Sequence, residues 1–160
     1  MTRALLAFAL MVVPAAAAAD DRAMRVAFQT DSAIGVSGKF YNHLLGARLD
    51  VCAVRASTTC LGAYLGYANL KGQDGRAHSA LIAFLIDHRA QVSGVFSIPI
   101  RFGSGWLVKN GPFLRASAGL GFRVSERVDL TFDLLAPTLW VTGKQPVYSL
   151  DLAGELAVRF

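Results

Sequence analysis

The chain has 160 residues, a net charge of +5, 54% hydrophobic residues and only 17% charged residues. The length fits one domain, and the hydrophobic fraction is high for a soluble one. Beyond the amino-terminal segment, no stretch is apolar for long enough to cross a bilayer as a helix, which needs about 20 residues. Apolar residues spread over short segments favour a β-barrel, whose membrane strands need about 9 to 11 residues each.

Residues 1–19 predict an export signal. Arg3 precedes an apolar run, which Pro14 ends before five alanines. This order of a positive residue, an apolar core and small residues is typical of a secretory signal, with cleavage expected after Ala19. A transmembrane anchor would need a longer uninterrupted run. Residues 20–160 then form the mature domain, and export excludes nucleic acid as its partner.

A period of two predicts four β-strands in the first half of the mature chain. They are expected within residues 22–34, 45–54, 60–70 and 79–86. In the first three, apolar side chains alternate with charged residues, glycine or Tyr64, so that one face is apolar. The fourth is apolar on both faces, and residues 87–90 are interpreted as a polar turn after it.

Four more strands are predicted in the second half. They are expected within residues 92–102, 114–124, 128–134 and 148–160. A longer loop, residues 103–111, carries Trp106 between the first two. Residues 125–127 form a turn, and residues 137–140 are placed near a membrane interface.

The last strand has the clearest pattern. From Tyr148 to Phe160, apolar residues alternate with polar ones that include Asp151, Glu155 and Arg159. A soluble sheet can show this alternation, but so long a strand that ends on an outward aromatic suits lipid outside and a polar interior. We therefore predict the closing strand of a membrane barrel.

Eight strands place both ends of the barrel on the same side of a membrane. With both ends in the periplasm, tight turns after Val54, Ile86 and Val124 lie on the inner side. The longer outer connections lie near Lys39, Lys71, Lys109 and Lys144. Short inner turns and longer outer loops are typical of outer-membrane barrels.

These features resemble the small eight-stranded outer-membrane β-barrels, the class that includes OmpX-like proteins and the OmpA barrel domain. The most specific likeness is the chain end, where Leu156, Val158 and Phe160 are similar to the signal that the family's assembly machinery reads. The hairpin of residues 119–134 is also similar. The resemblance implies an all-β, antiparallel, up-and-down transmembrane barrel that contacts the barrel assembly machinery, and it leaves the activity open.

The inward faces of the predicted strands carry a balanced set of charges. Six basic residues face six acidic ones: Arg25, Arg48, Arg101, Arg115, Arg123 and Arg159 against Asp31, Asp50, Asp129, Asp133, Asp151 and Glu155. An eight-stranded barrel encloses only enough space for its own side chains. We therefore predict ion pairs that close the lumen, with Arg123 and Asp129 as neighbours across the 125–127 turn.

Two cysteines flank the second predicted turn. Cys52 and Cys60 both fall on inward faces, and an oxidising periplasm favours a disulfide between them. The alternative is two buried free thiols, because directly opposed strand positions can strain the bond.

Candidate catalytic and metal-binding residues are few. His78 and Ser79 invite comparison with the lipid A deacylases, but adjacent residues of a strand point to opposite faces. His43 and His88 fall in predicted connections, without a carboxylate or cysteine at ligand spacing. We expect no metal and no cofactor.

The function expected from the sequence is that of a non-enzymatic outer-membrane barrel with a structural or surface-interaction role. A basic outer rim is predicted to contact outer-membrane lipid and lipopolysaccharide; its residues are Lys39, Lys71, Arg76, Lys109 and Lys144. Solvated loops are the competing explanation of these charges. Two other functions remain open: a lipid A deacylase-like enzyme at the rim, and a soluble periplasmic barrel that binds an apolar ligand.

Overall fold

The structure is a computed structural model that describes residues 23–36, 41–52, 58–72, 75–108, 110–142 and 145–160. The predicted export signal, residues 1–19, lies outside this range. Eight strands follow one another along the chain: β1 Met24–Gly35, β2 Tyr41–Cys52, β3 Thr59–Gly72, β4 Gly75–Gln91, β5 Phe96–Leu107, β6 Gly111–Arg123, β7 Val128–Thr142 and β8 Gln145–Arg159. Within the described residues, no helix has the length and apolarity needed to cross a membrane.

Each strand pairs antiparallel with its neighbours in the chain, and β8 pairs with β1 to close the barrel. The predicted eight-stranded antiparallel barrel is confirmed. We call the end that carries Met24 and Phe160 the terminal end, and the other the distal end.

The strands are strongly tilted against the barrel axis. From Gln29, a row of paired residues reaches Leu81 on β4 by way of β2 and β3. In the other direction, by way of β8, β7, β6 and β5, it reaches Gln91 on the same strand. This offset of ten residues is the shear of the barrel, and eight strands at such a tilt leave an interior that side chains can fill.

The two faces of the wall differ in polarity. Outward side chains such as Phe84 and Ile34 are 68% and 67% exposed, whereas the inward Arg48 and Asp50 are buried. An apolar exterior is stable in lipid and costly in water. A soluble barrel around an apolar ligand would need the reverse arrangement.

Strand β4 is longer than the sequence indicated, and the predicted turn at residues 87–90 is wrong. Asp87 lies inside the barrel and His88 outside, so the period of two continues to Gln91. The turn follows instead at residues 92–95, where the Ser93 hydroxyl oxygen accepts hydrogen bonds from the amides of Val95 and Phe96. In the sequence alone, a charged residue that faces a lumen cannot be distinguished from a charged residue in a turn.

The predicted loop at residues 103–111 is also wrong, because β5 continues to Leu107 and β6 begins at Gly111. Gly103 and Gly105 occupy two of the inward positions of β5 here. A Cβ atom at Gly105 would lie 2.6 Å from a ring carbon of Phe113, so the missing side chain makes room for that ring.

A bulge in β7 explains a further difference. The register shifts between Asp133 and Ala136, so that Leu134 and Leu135 both face outward. Beyond the bulge the inward positions include Trp140, which is fully buried inside the barrel. Trp140 therefore does not face lipid, and the depth of residues 137–140 relative to a membrane interface stays a prediction.

Connections at the two ends differ little in length. At the terminal end they contain six, four and four residues, and at the distal end five, two, three and two. The predicted pattern of short inner turns and longer outer loops is wrong for this chain.

A disulfide joins β2 to β3 at the terminal end. Cys52 and Cys60 are register partners, both are buried, and their Cα atoms lie 4.2 Å apart. The predicted bridge is confirmed.

Tyr64 lies flat against the inner wall, over two glycines. A Cβ atom at Gly66 would lie 2.6 Å from a ring carbon of Tyr64. At Gly46 it would overlap the ring and lie 2.6 Å from the backbone oxygen of Leu65. Because that oxygen belongs to the sheet, the wall itself would have to move.

We therefore expect Gly46→Ala to lower the free energy of unfolding by about 1–3 kcal/mol, the usual cost of overpacking. The matched control is Gly154→Ala, whose Cβ atom would lie 4.0 Å from Thr30 and should cost little. Urea titration of the refolded barrel in lipid vesicles measures both. Equal stability of the two variants would show that Tyr64 does not need the space at Gly46.

Candidate functional site

Charged side chains fill the half of the interior next to the terminal end. We call this set the charged layer: Arg25, Arg48, Asp50, Asp87, Arg89, Arg101, Asp129, Asp133 and Glu155. Its members come from β1, β2, β4, β5, β7 and β8. Opposite charges from six strands therefore meet across the barrel axis.

Asp87 is the acidic centre of this layer. One of its oxygens contacts Arg25, and lies 3.2 Å from Arg48 Nη2, 3.4 Å from Arg89 Nη2 and 3.3 Å from Arg101 Nε. Its side chain is fully buried. A buried charge is tolerated when opposite charges surround it, so four guanidinium groups hold this carboxylate.

Glu155 is a second acidic centre. Its carboxylate lies 2.8 Å from Arg48 Nη1, 3.2 Å from Arg89 Nη2 and 2.9 Å from Arg101 Nη2. Arg101 also donates two hydrogen bonds, of 3.0 and 3.1 Å, to the carboxylate of Asp133. The same arginines serve several carboxylates, which makes the layer one connected network.

A chain of polar contacts leads from Arg115 toward the distal end. Arg115 pairs with Asp31 and lies 3.5 Å from Asp151. The hydroxyl of Ser149 donates a 2.6 Å hydrogen bond to Asp151 and accepts one of 2.7 Å from the indole of Trp140. Trp140 is thereby fixed to the charged interior through its single polar atom.

Apolar side chains fill the interior of the distal half. This apolar layer contains Leu44, Tyr64, Ala68, Leu70, Leu81, Leu107, Phe113 and Trp140. The rings of Phe113 and Trp140 stack at 5.2 Å between centroids. Sequence reasoning missed this layer. Its members lie at inward positions of β2 to β7, and the bulge in β7 brings Trp140 into it.

A cavity of about 50 Å³ lies between the two layers and is lined by residues that include Arg48, Tyr64, Arg101, Phe113 and Arg115. One water molecule needs about 10–15 Å³ by the same measure. The cavity has room for a few waters.

The structure places most of the predicted lumen residues inside. Arg25, Asp31, Arg48, Asp50, Arg101, Arg115, Asp129, Asp133, Asp151 and Glu155 face the interior. Two further charged residues that the sequence analysis missed, Asp87 and Arg89, lie there too. The three consecutive polar residues 87–89 interrupt the apolar alternation in the sequence, which is why these two were assigned to a turn.

The predicted inward position of Arg123 is wrong. This residue is the register partner of Asp129, as predicted, but its side chain is exposed at the mouth of the barrel. Among the described residues, Asp129 pairs instead with Arg159 at 2.5 Å and with Arg89 at 3.9 Å. Arg159 reaches Asp129 diagonally from β8, which a long side chain allows.

The predicted rim is described only in part. Lys71 is exposed near the end of β3 and is the register partner of Arg76. Lys39, Lys109 and Lys144 lie outside the described residues. At the opposite end, Leu156 and Phe160 are exposed on the outer wall and Val158 is partly buried there.

The histidines lie on the outer wall. His78 is exposed and stacks on Tyr67, whereas Ser79 is buried on the inner face and donates to the backbone oxygen of Ala80. His43 and His88 were predicted in connections but lie within β2 and β4. The part of the chain that the structure describes holds no cluster of three or more potential metal ligands.

Comparison with solved structures finds the same fold in small membrane barrels. The crystal structure of Neisserial surface protein A matches with a TM-score of 0.56 and 12% identity, over 87% of this chain and 97% of that one. The N-terminal β-barrel domain of Pseudomonas aeruginosa OprF matches with 0.50 and 11%, over 83% and 96%. A de novo designed transmembrane β-barrel matches with 0.51 and 15%, over 85% and 95%. No protein-family profile and no curated protein matches.

The position of Asp87 leads to a test. We expect Asp87→Asn to lower the free energy of unfolding by about 3–5 kcal/mol, because it leaves four buried guanidinium groups with one carboxylate fewer. Glu126→Gln, an acidic residue in the exposed turn between β6 and β7, is the matched control and should change it by less than about 0.5 kcal/mol. Urea titration in lipid vesicles measures the free energy of unfolding of both variants. A small effect of Asp87→Asn would show that the Asp87 side chain is solvated, as in a turn.

Proposed function

We propose that this chain, which has the fold of the small eight-stranded outer-membrane barrels, is a non-enzymatic protein of the outer membrane with a closed interior and a lipopolysaccharide-binding rim. The observation that carries the proposal is the polarity of the wall, apolar outside and charged inside. Lipid is the solvent that such an exterior needs. The role is structural or one of surface interaction, and the contacts it requires are made by the outer surface of the barrel.

The terminal end faces the periplasm in this proposal. Connection lengths do not distinguish the ends, so the orientation is supported by the chain end. Leu156 and Phe160 point outward there and resemble the signal read by the barrel assembly machinery, which we propose as a partner. The distal end, with Lys71, then faces the outer leaflet.

Two layers that differ in chemistry support a closed lumen. The charged layer holds its ions in pairs, with side chains such as Arg48 and Asp50 fully buried. The apolar layer contains the fully buried Trp140. A hydrated ion would have to break the first and displace the second.

We expect no large, stable single-channel conductance from the wild-type barrel in planar bilayers. Trp140→Ala should also remain closed, because the charged layer blocks the lumen independently. A control barrel with a known open pore calibrates the measurement. A large, stable conductance of the wild type would contradict the closed interior.

The proposed rim contact is with the phosphates of lipopolysaccharide. Lys71 is exposed at the distal end, and Arg76 is its register partner on β4. Basic residues near an anionic lipid surface contribute about 1 kcal/mol each. Exposed charges act through a screened field, so this contact should weaken with salt.

Replacing Lys71 and Lys109 by Gln should therefore weaken lipopolysaccharide binding about tenfold or more and reduce its salt dependence. The control replaces Arg123 and Arg127 at the terminal end by Gln, an equal change of charge. Binding of refolded protein is measured at low and moderate ionic strength. Equal losses in the two variants would mean that total charge, and not the rim, attracts the lipid.

A further inference from the structure

Four polar residues form a row on the outer wall near the distal end. Register pairs join Ser32 to His43, His43 to Asn69, and Asn69 to His78, across β1, β2, β3 and β4. The outer wall of a membrane barrel is normally apolar at such positions. A polar row that crosses four adjacent strands therefore needs a physical explanation.

The two histidines of the row are held by hydroxyl groups. The Ser32 hydroxyl lies 3.1 Å from His43 Nδ1, and the Tyr67 hydroxyl contacts His78 Nδ1. The Tyr67 and His78 rings stack at 5.7 Å with 18° between their planes. In each imidazole the contact at Nδ1 fixes the ring and directs Nε2 away from that hydroxyl, where it can bind a further partner.

The row is confined to one side of the barrel. On β8, Ser32 has the exposed Leu152 as its register partner. Elsewhere near the distal end most outward side chains are apolar, among them Trp106, Val108 and Leu150, with Ser104 on β5 as a polar exception. The surroundings of the row are those of a lipid-facing wall.

The outward apolar side chains of the wall form a band around the barrel, and this apolar band is narrow beside the row. On β3 the outward positions from Leu61 to Tyr67 lie between the polar residues Thr59 and Asn69. On β8 the outward positions from Leu150 to Phe160 are apolar throughout. A narrower band brings the lipid head groups closer to the middle of the barrel on that side.

We propose that Ser32, His43, Tyr67, Asn69, Lys71 and His78 form a wall patch that binds the phosphorylated sugar head group of an outer-leaflet glycolipid. The proposal rests on the orientation in the proposed function and adds a second set of contacts on one side of the wall. Imidazole and amide N–H groups donate to phosphate oxygens, and the exposed Lys71 supplies a positive charge. No acidic side chain belongs to this set, which favours an anionic occupant.

The wall patch also offers a surface that matches a sugar. Tyr67 and His78 present two stacked rings at the β4 end of the row. An aromatic ring with a polar tip suits the boundary between lipid and water. Phosphate and sugar together match a row that combines hydrogen-bond donors with an aromatic platform. A bare apolar chain would match neither.

The test uses the double variant His43→Phe with His78→Phe and the control His88→Phe. His88 is also an exposed wall histidine held by a hydroxyl, 2.8 Å from Thr59, but it lies toward the terminal end. Binding of bis-phosphorylated lipid A to refolded protein in detergent micelles should weaken about fivefold or more in the double variant, the effect of losing about one hydrogen bond. The control should match the wild type. Unchanged binding by the double variant, or an equal loss in the control, overturns the proposal.

Wild-type protein provides a readout that does not depend on a variant folding. In nuclear magnetic resonance spectra, lipid A should shift the imidazole signals of His43 and His78 and leave those of His88 unchanged. Dephosphorylated lipid A should shift them less. Equal shifts with both lipids, or none, would overturn the assignment to a phosphorylated head group.

The rim and the wall patch share Lys71, so the single replacement Lys109→Gln, which lies outside the patch, separates them. If Lys109→Gln lowers affinity but the double histidine variant does not, the wall patch is wrong and the rim stands. If only the histidine variant lowers affinity, the patch stands and the rim is wrong. Competition by inorganic phosphate alone, equal to that by lipid A, would make the site one for free phosphate and would also overturn the glycolipid proposal.

Discussion

Burial of charge is the constraint on which the rest of this barrel depends. Asp87 and Arg48 have lost nearly all contact with water, and an ion in that position is stable only when opposite charges surround it. Because the partners of Asp87 come from β1, β2, β4 and β5, the network also fixes those strands relative to one another. The requirement for charge pairing thus acts as a tertiary constraint on barrel closure.

The charged layer alone does not explain the interior. In the distal half the same alternation places Leu81, Leu107 and Phe113 inward, and glycines on β2, β3 and β5 leave space for the larger rings. The indole N–H of Trp140 donates to Ser149, which in turn donates to Asp151. Arg115 lies 3.5 Å from Asp151 and 4.0 Å from Asp133 of the charged layer. The two layers are therefore connected, so movement of the apolar layer would disturb a buried carboxylate.

The sequence predicted the faces of the strands well and their ends poorly. Alternation is a local property, so the inward positions of Arg25, Arg101 and Glu155 could be read directly. The β7 bulge reverses the alternation between Asp133 and Ala136, and Trp140 was misplaced for that reason. Pro137 follows the bulge and Gly119 faces it on β6, but neither residue gives its position in the sequence. The partner of Asp129 depends on the tilt of β8, a property of the closed barrel that no single strand contains.

Charged groups of the interior pair with one another, so the proposed function assigns recognition to the outer wall and the rim. The wall is uneven there. Thr59 and His88 bound the apolar band of β3 and β4 toward the terminal end, and Asn69 and His78 bound it toward the distal end. The band on β8 runs on to Phe160. Lipid around such a barrel meets a short apolar wall on one side and a long one on the other, and the bilayer adapts to each at a modest cost per ångström. In the proposed function, head groups therefore approach the middle of the barrel beside β3 and β4, where the polar row lies.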